Sequence, residues 1–454
     1  MSLDSQQPTT PQTAAQSAGE APPVGLLRNR NFLFLTGGQI ISYLGDFIYS
    51  TTLQIWAYSL VPNAASVSGI WAAQYLPYVL VGPLAGVFVD RWNRRQIMIV
   101  SDLLRCFIAL WPLLVPPALR LPAIYLAVFL IGSLGRFFSP ARSGVMQVIL
   151  AEQDQPRAAS ILQSSFAFAV VAGPSLGAGL YFLVGPYLGT ILNALSFLVS
   201  ALCILAMRVS AQALQPGAQR RAEVAAGEGR TGAVRAVLTE LVDGFRFVLG
   251  SRVLGVVMLL LVINWFGVGA LNALDIVFIS QRLHVSPELY GPMATGSGVG
   301  LLIGSLIAGV LSKKLSPRSL LTGSVFLTGL GIVVFGFQVW FPLALFFYCL
   351  TGLLQGGIEV GYMALVLISS PRTLIGRVEA VIQTSMFIAS VLSIALGGYL
   401  AQFIPVYILF IVGGWLTVLA GLVGWFGLPA RIEPVAVPSR PEPEPGSEQQ
   451  PAQA

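Results

Sequence analysis

Long apolar stretches alternate with short polar connections from Phe32 to Leu428. Most stretches reach the roughly 18 residues that are needed to cross about 30 Å of hydrocarbon. Twelve can be placed, at 32–60, 67–89, 97–117, 124–138, 161–184, 187–207, 253–280, 289–312, 320–340, 343–368, 380–404 and 406–428. In lipid, only helices satisfy their own backbone hydrogen bonds over runs of this length, whereas barrel strands are shorter and alternate strictly. The pattern therefore predicts an all-α membrane protein with twelve transmembrane helices.

The composition agrees with a protein that lipid surrounds. Of its 454 residues, 55% are hydrophobic and 10% are charged, which is too little charge to cover soluble domains of this length. The three cysteines lie in apolar runs without metal-ligand spacing, so neither a disulfide framework nor a metal site is expected. No nucleophile set, paired-carboxylate motif or nucleotide loop is visible, so we predict no enzymatic activity and no cofactor.

Basic residues separate the two sides of the predicted membrane protein. The odd-numbered connections hold only Arg120 and Arg282, whereas the tails and the even-numbered connections hold nearly all other Lys and Arg residues. The positive-inside rule then places both termini in the cytoplasm and the protein in the cell membrane. Because this charge lies between spans and forms no continuous patch, nucleic acid is not an expected partner.

A long central connection divides six spans from six. We expect a disordered cytoplasmic tail at 1–24, an N-terminal six-helix bundle at 25–208, a cytoplasmic linker at 209–250, a C-terminal six-helix bundle at 251–430 and a disordered cytoplasmic tail at 431–454. Within the linker, 233–248 carries apolar residues at helical spacing opposite charged ones. This spacing predicts an amphipathic helix at the inner membrane interface, with a partner-docking helix as the alternative.

The two halves also share sequence features. Gly86-x-x-x-Asp90-Arg91-x-Asn93-Arg94-Arg95 follows the second span, and a weaker copy at 309–314 follows the eighth. The first segment resembles the signature loop of the major facilitator superfamily, in which Gly usually stands at the position of Asn93. Asn tolerates left-handed backbone geometry, so the turn need not be lost.

This resemblance implies two pseudo-symmetric six-helix bundles that rock about a midplane cavity. It also implies an inner gate formed by Gly86, Asp90, Arg91, Arg94 and Arg95. In that gate, Asp90 meets the start of the eleventh span near Arg377, and the arginines pair with acids.

Other segments are similar to the branch of macrolide and enterobactin-type siderophore exporters, namely 27–32, 38–46, 138–143 and 192–197. Gly173-Pro174-x-x-Gly177-Ala178 resembles the antiporter motif, which usually ends in two glycines. The resemblance implies a monomeric, proton-coupled exporter of drug-like or macrolide-like amphipathic small molecules. A siderophore exporter, a lysophospholipid flippase, a small-solute importer and a transport-dead receptor or regulator remain alternatives, and so does a coupling ion other than the proton.

Ionisable residues inside spans are functional candidates because their burial in a bilayer is costly. Asp46, in the middle of the first span, is our first choice for proton coupling, with a structural role as its alternative. Glu359 is a second candidate, Asp275 is expected at the outer interface, and Arg136 is expected to pair with a carboxylate or to meet an anionic substrate. Asp102 and Arg105, spaced i, i+3, are expected to form a structural pair.

Two further features are interpreted as structural and not as functional sites. Gly296, Gly300 and Gly304 lie at one-turn spacing inside a span, so they predict helix packing and no nucleotide-binding fingerprint. His284, the single histidine, is expected at the surface of a short outer loop.

Overall fold

The structure is a computed structural model that describes residues 26–82, 85, 89, 92–209, 239, 242–371 and 374–430. All regular elements in these ranges are helical, which confirms the predicted all-α class. The long helices, α1 to α12, are Arg30–Leu60, Ala64–Leu80, Arg94–Leu114, Arg120–Ile149, Gln155–Val184, Pro186–Ala206, Arg252–Gln281, Tyr290–Leu311, Pro317–Phe337, Phe341–Ser369, Ile375–Leu400 and Val406–Gly427. The predicted tails and residues 210–238 of the linker lie outside the described ranges.

Ten of these helices, α3 to α12, are long and apolar enough to cross a membrane. The two others miss this criterion for different reasons: α2 has 17 described residues, and α1 carries polar side chains such as Gln39 and Gln54 along its length. Twelve spans therefore stay a prediction. The fourth span was predicted too short, because α4 starts at Arg120 and continues past Phe138 up to Ile149.

Side chains that accept hydrogen bonds from free backbone N–H groups start several helices. Asn29 Oδ1 accepts from Phe32 N at 3.2 Å at the start of α1, and Asn93 Oδ1 accepts from Arg95 N at 3.0 Å at the start of α3. Asn93 has φ −66° and ψ 115°, so it adopts an extended conformation. Asn93 therefore does not use the left-handed geometry that Asn tolerates, and its side chain caps α3.

The helices pack in a pattern that repeats after six. In the first six helices, α1 contacts α5 and α6, α2 contacts α4, and α3 contacts α4 and α6. In the last six, α7 contacts α11 and α12, α8 contacts α10, and α9 contacts α10 and α12. Between the two sets, α2 contacts α11 while α5 contacts α8. The contacts among the first six described helices thus recur among the last six.

The two sets pack together at the end of the helices opposite the start of α1 and the end of α12. One core cluster there joins Tyr58 and Ala64 of the first set to Leu274 and Tyr290 of the second. At the other side, the described residues form separate clusters for each set. The described helices are thus closed at this end, which we call the far end.

Part of the predicted linker helix is visible. Residues 242–250 are helical, Val248 is fully buried, and Gly244 lies against the backbone of Arg377 at the start of α11. Phe245 and Leu249 remain exposed, at 43% and 58%. The visible part therefore packs on the second set of helices through one face and leaves apolar side chains on the other.

Candidate transport site

Asp46 lies near the middle of α1, where this helix approaches α6 closely. A side chain at Gly45 would bring its Cβ to 2.5 Å from Ser196 Oγ and to 2.8 Å from Asn193 Oδ1. Glycine allows this close approach, which places the backbone beside Asp46 directly against polar side chains of α6. Asp46 therefore lies inside the protein, as predicted, and the backbone beside it adjoins the polar side chains of Asn193 and Ser196.

The Asp46 side chain lines a cavity of about 360 Å³ in the first set of helices. We call it the Asp46 cavity. Its lining comprises Tyr43, Asp46, Phe47, Tyr49, Ser50, Ile70, Gln74, Tyr78, Arg105, Val128, Ile131, Gly132, Gly135, Arg136 and Phe166. Two guanidinium groups, those of Arg105 and Arg136, thus share a cavity with one carboxylate. Such an arrangement allows the charge of the cavity to change with the protonation of Asp46.

Arg105 connects this cavity to a second buried acid. Its Nη1 lies 3.3 Å from Asp102 Oδ1, and Asp102 is fully buried. The guanidinium carbon lies 4.9 Å from the ring centre of Phe138 and 5.5 Å from that of Phe197. The predicted i, i+3 pair is confirmed. Its spacing did not indicate that Arg105 also faces the cavity of Asp46, because that placement depends on how α3 packs against α4 and α6.

Arg136 makes a different contact from the one expected. Its guanidinium carbon lies 3.6 Å from the ring centre of Tyr78, in a cation–π arrangement. It forms no ion pair with a carboxylate of the described ranges. A guanidinium held over an aromatic ring, with no acid beside it, keeps its charge available to the cavity.

Aromatic rings connect the two sets of helices at mid-height. Tyr78 of α2 and Phe387 of α11 have ring centres 4.1 Å apart, and Trp265 of α7 lies 6.3 Å from Phe387. Tyr78 lines the Asp46 cavity, and Trp265 lines a cavity in the second set. The three rings thus form an apolar bridge between the two cavities.

The second cavity, which we call the Asp275 cavity, has a volume of about 250 Å³. Its lining comprises Asn264, Trp265, Val268, Leu271, Asn272, Asp275, Ser297, Thr328, Ile332, Phe335, Tyr348, Thr351, Gly352, Gln355 and Phe410. Asp275 is 2% exposed and accepts a hydrogen bond of 2.6 Å from the Tyr348 hydroxyl. The expected interfacial position of Asp275 is therefore wrong, because helices α8 and α10 cover this part of α7.

Glu359 lies on the exposed side of α10, where its Oε1 accepts a 3.4 Å hydrogen bond from Gln355 Nε2. It lines neither the Asp46 cavity nor the Asp275 cavity. His284 is exposed in the loop after α7, as expected.

The gating loop is described only in part. Gly86, Asp90 and Arg91 lie outside the described residues. Arg95 donates hydrogen bonds to the carbonyls of Ile204 (3.2 Å) and Leu205 (2.7 Å) at the end of α6.

The neighbouring Arg94 lies against Gly144 of α4, where a Cβ would be 2.5 Å from its Nε. The described contacts of both arginines thus lie within the first set of helices. Both were expected to pair with acids, but neither forms an ion pair with an acid of the described residues. For Arg95, the negative end of a helix dipole takes the place of the acid.

The antiporter-like bend packs α5 on α1 directly beside Asp46. At Gly177, a Cβ would lie 2.6 Å from the backbone oxygen of Ile48, and at Gly173 it would overlap Phe47. Pro174 lies inside the helix between them. Small residues here allow the two helices to approach at backbone distance.

The same segment contacts α8 of the second set. Gly291 lies against Ala178, so that a Cβ on Gly291 would be 2.5 Å from the Ala178 methyl group. Ser175 Oγ donates to Thr295 Oγ1 at 2.8 Å, and Thr295 Oγ1 donates to Val171 O at 2.6 Å. The departure from the motif at Ala178 is therefore matched by a glycine on the facing helix.

The glycine stripe of α8 packs against α10, as predicted. A Cβ at Gly296 would overlap Cys349, and a Cβ at Gly300 or Gly304 would overlap the α10 backbone at Cys349 or Leu353.

Comparison with known proteins agrees with this arrangement. The sequence model of the family described as Major Facilitator Superfamily matches residues 35–278 and 257–453. The chain belongs to the major facilitator superfamily. As a member of this superfamily it is a membrane transporter and not an enzyme.

Relatives within the superfamily include exporters. The chain is 26% identical to the multidrug efflux pump Tap of Mycolicibacterium fortuitum, over 84% of this chain and 90% of the relative. It is 23% identical to macrolide efflux protein A of Streptococcus pyogenes, over 67% and 72%. It is also 25% identical to the MFS-type transporter YkuC of Bacillus subtilis, over 82% and 85%. These similarities support the predicted resemblance to the efflux branch.

Solved structures of the superfamily share the fold. A bacterial homologue of the iron transporter ferroportin, in an inward-facing state, superimposes with a TM-score of 0.70 at 15% identity. The match covers 89% of this chain and 99% of that one. At this identity the likeness concerns the fold alone.

Proposed function

We propose that the protein is a proton-coupled exporter of amphipathic small molecules, drug-like or macrolide-like in chemistry, that works by alternating access. The observation that carries the proposal is the placement of Asp46 in one cavity with Arg105 and Arg136. An acid in this setting changes the charge of the cavity by one unit when a proton binds or leaves. The similarity to multidrug and macrolide efflux proteins supports the direction and the substrate class.

The packing around Asp46 supports a link between protonation and helix movement. Phe47 and Ile48, the two residues after Asp46, contact the bend of α5, which in turn contacts α8 through Ser175 and Thr295. A change at Asp46 therefore has a short mechanical path to the contact between the two sets of helices. Two arrangements of this contact, one closed and one open, are what alternating access requires.

We also propose the cell membrane as its location, with both termini in the cytoplasm. With that orientation, the closed far end of the described helices is the outer end, and the structure represents an inward-facing state. Substrate then enters from the cytoplasm or the inner leaflet and leaves when the outer end opens.

The deciding experiment uses the full-length protein in proteoliposomes with labelled erythromycin and an imposed pH gradient. Asp46→Asn keeps the shape of the side chain but cannot carry a proton, so we expect loss of uphill transport while exchange of labelled for unlabelled erythromycin continues. Glu152→Gln, at an exposed acid outside both cavities, is the matched control and should transport as the unmodified protein does. Unchanged pH-driven transport by Asp46→Asn would show that Asp46 is not the coupling group.

The same vesicles test the remaining alternatives. A sodium gradient in place of the pH gradient tests the coupling ion, and the side from which erythromycin is lost separates export from import. If no gradient moves any compound of a substrate panel, the transporter assignment to drug-like compounds is wrong.

A further inference from the structure

The Asp275 cavity is lined by one acidic side chain and no basic one. Among its lining residues, Asp275 is the sole acid, and none is Lys, Arg or His. The Tyr348 hydroxyl donates to Oδ2, and Oδ1 accepts no hydrogen bond from the described residues. A carboxylate removed from water without a cation is costly, so this group is either uncharged or receives a cation from outside the protein.

The walls of the cavity suit an organic cation. Trp265, Phe335, Tyr348 and Phe410 supply aromatic rings, and the ring of Phe335 lies 5.6 Å from that of Tyr348 and 5.4 Å from that of Phe410. Aromatic faces attract ammonium groups, and they accept the carbon substituents of an amine. A metal ion finds fewer partners, because the described acids, histidines and cysteines form no group of three or more that could hold one.

The Asp46 cavity is unsuited to the same cation. Arg105 and Arg136 both line it, so an ammonium group entering there meets two positive charges. Glu359 lies outside both cavities. Of the two acids that line these cavities, Asp275 is therefore the one without a guanidinium group in the same lining.

Size and position define how a ligand would lie. At about 250 Å³ the cavity is smaller than the roughly 300–1,000 Å³ of sites that enclose whole drug-sized ligands. It accommodates a charged head group, while an apolar body extends past Trp265 toward Phe387 and Tyr78, the aromatic bridge between the cavities.

We infer that Asp275 and Tyr348 form a binding subsite for the ammonium group of a monocationic amphipathic amine. The inference rests on the proposed export function for its biological meaning, but it concerns binding and not coupling. Asp275 accepts the ammonium hydrogen atoms, and Tyr348 positions the carboxylate. The proton is carried elsewhere, in the Asp46 cavity.

The test compares two probes that differ in one charge, monodansylcadaverine and its N-acetyl derivative. Their fluorescence reports binding to the purified full-length protein in lipid nanodiscs. We expect the unmodified protein to bind the amine at least tenfold more tightly than the acetylated probe. In Asp275→Asn the preference should fall to about one, with unchanged affinity for the acetylated probe, and Asp275→Glu should restore part of it.

Two controls keep the inference falsifiable. Glu152→Gln should retain the full preference, because it changes an exposed acid. If Asp275→Asn does not fold, carbodiimide labelling of Asp275 in the unmodified protein, measured by mass spectrometry, replaces it: the amine should protect and the acetylated probe should not. Equal binding of both probes, a preference that survives Asp275→Asn, or labelling that the amine does not slow would each overturn the subsite.

Failure of the subsite and failure of the proposed function are separable. If the acetylated probe or erythromycin is exported with a pH gradient but no amine preference exists, the export proposal stands and the subsite falls. If Asp275 determines amine binding but no gradient drives transport, the subsite stands and the proton-coupled function falls.

Discussion

Replacing Gly177 by Ala tests whether the antiporter-like bend holds α5 and α1 at backbone distance beside Asp46. The added Cβ would lie 2.6 Å from Ile48 O and 3.1 Å from Thr51 Cβ, and neither neighbour can rotate out of the way cheaply, because one is backbone and the other is the root of a side chain. Gly179 is the matched control, since it lies on the same helix two residues away and a Cβ there has nothing within 4 Å.

The two variants isolate one energy term. Gly→Ala in a helix gains up to about 1 kcal/mol from helix propensity in both, so this gain cancels in the comparison. What remains is the overpacking cost at Gly177, about 1–3 kcal/mol, or roughly a 5- to 150-fold change in the folded-to-unfolded ratio. Because the displaced segment adjoins Asp46, we also expect slower pH-driven export in Gly177→Ala.

The assay is unfolding of the purified protein by increasing SDS in dodecylmaltoside micelles, followed by circular dichroism. Gly177→Ala should unfold at a lower SDS fraction than the unmodified protein, and Gly179→Ala at the same or a higher one. Identical midpoints for the two variants would refute the close packing of α5 on α1 as the reason for glycine at 177.

Two further predictions concern the contact between α5 and α8 and the buried ion pair. The double variant Ser175→Cys/Thr295→Cys, in a background without the native cysteines, should form a disulfide between α5 and α8, because the two hydroxyls are 2.8 Å apart. Oxidation should stop export, and reduction should restore it. Export that continues with the disulfide formed would argue against movement at this contact. Asp102→Asn leaves the buried Arg105 without its acid and should cost about 3–5 kcal/mol, whereas adding Arg105→Met should recover most of the stability but not the coupling. A double variant as unstable as the single one, in the same SDS titration, would contradict this.

Hydropathy predicted the helices well because lipid imposes length and apolar character on each of them separately. The predicted spans agree with the observed helices within a few residues in most cases. The exception is α4, whose span was predicted to end at 138 although the helix continues to Ile149. Within the predicted span, Gly132, Gly135 and Arg136 dilute the hydropathy. These residues line the Asp46 cavity, so the local loss of apolar character reflects an internal face and not the end of a helix.

Side-chain environments were harder to predict because they depend on neighbouring helices. Asp275 lies close to the end of α7, and this position along the helix suggested a place at the membrane–water interface. Helices α8 and α10 pack beside it and bury its side chain instead. Arg95 was expected to pair with an acid but bonds to carbonyl groups of α6. In contrast, the pair Asp102 and Arg105 was predictable, since i, i+3 spacing on one helix fixes the distance without any knowledge of the fold.

The two intramembrane acids differ in depth as well as in surroundings. Helices α1 and α7 hold corresponding places in the repeated packing pattern, yet Asp46 lies near the middle of α1 and Asp275 in the last quarter of α7. At 1.5 Å per residue this difference amounts to about 10 Å along the helix. Under the proposed function, a proton at Asp46 and an ammonium group at Asp275 occupy separate places and need not displace each other. Coupling then has to pass through the contact of α1 with the bend of α5 and from there to α8. Gly177 lies in this contact and carries no charge itself, which is why it is a demanding test of how this transporter works.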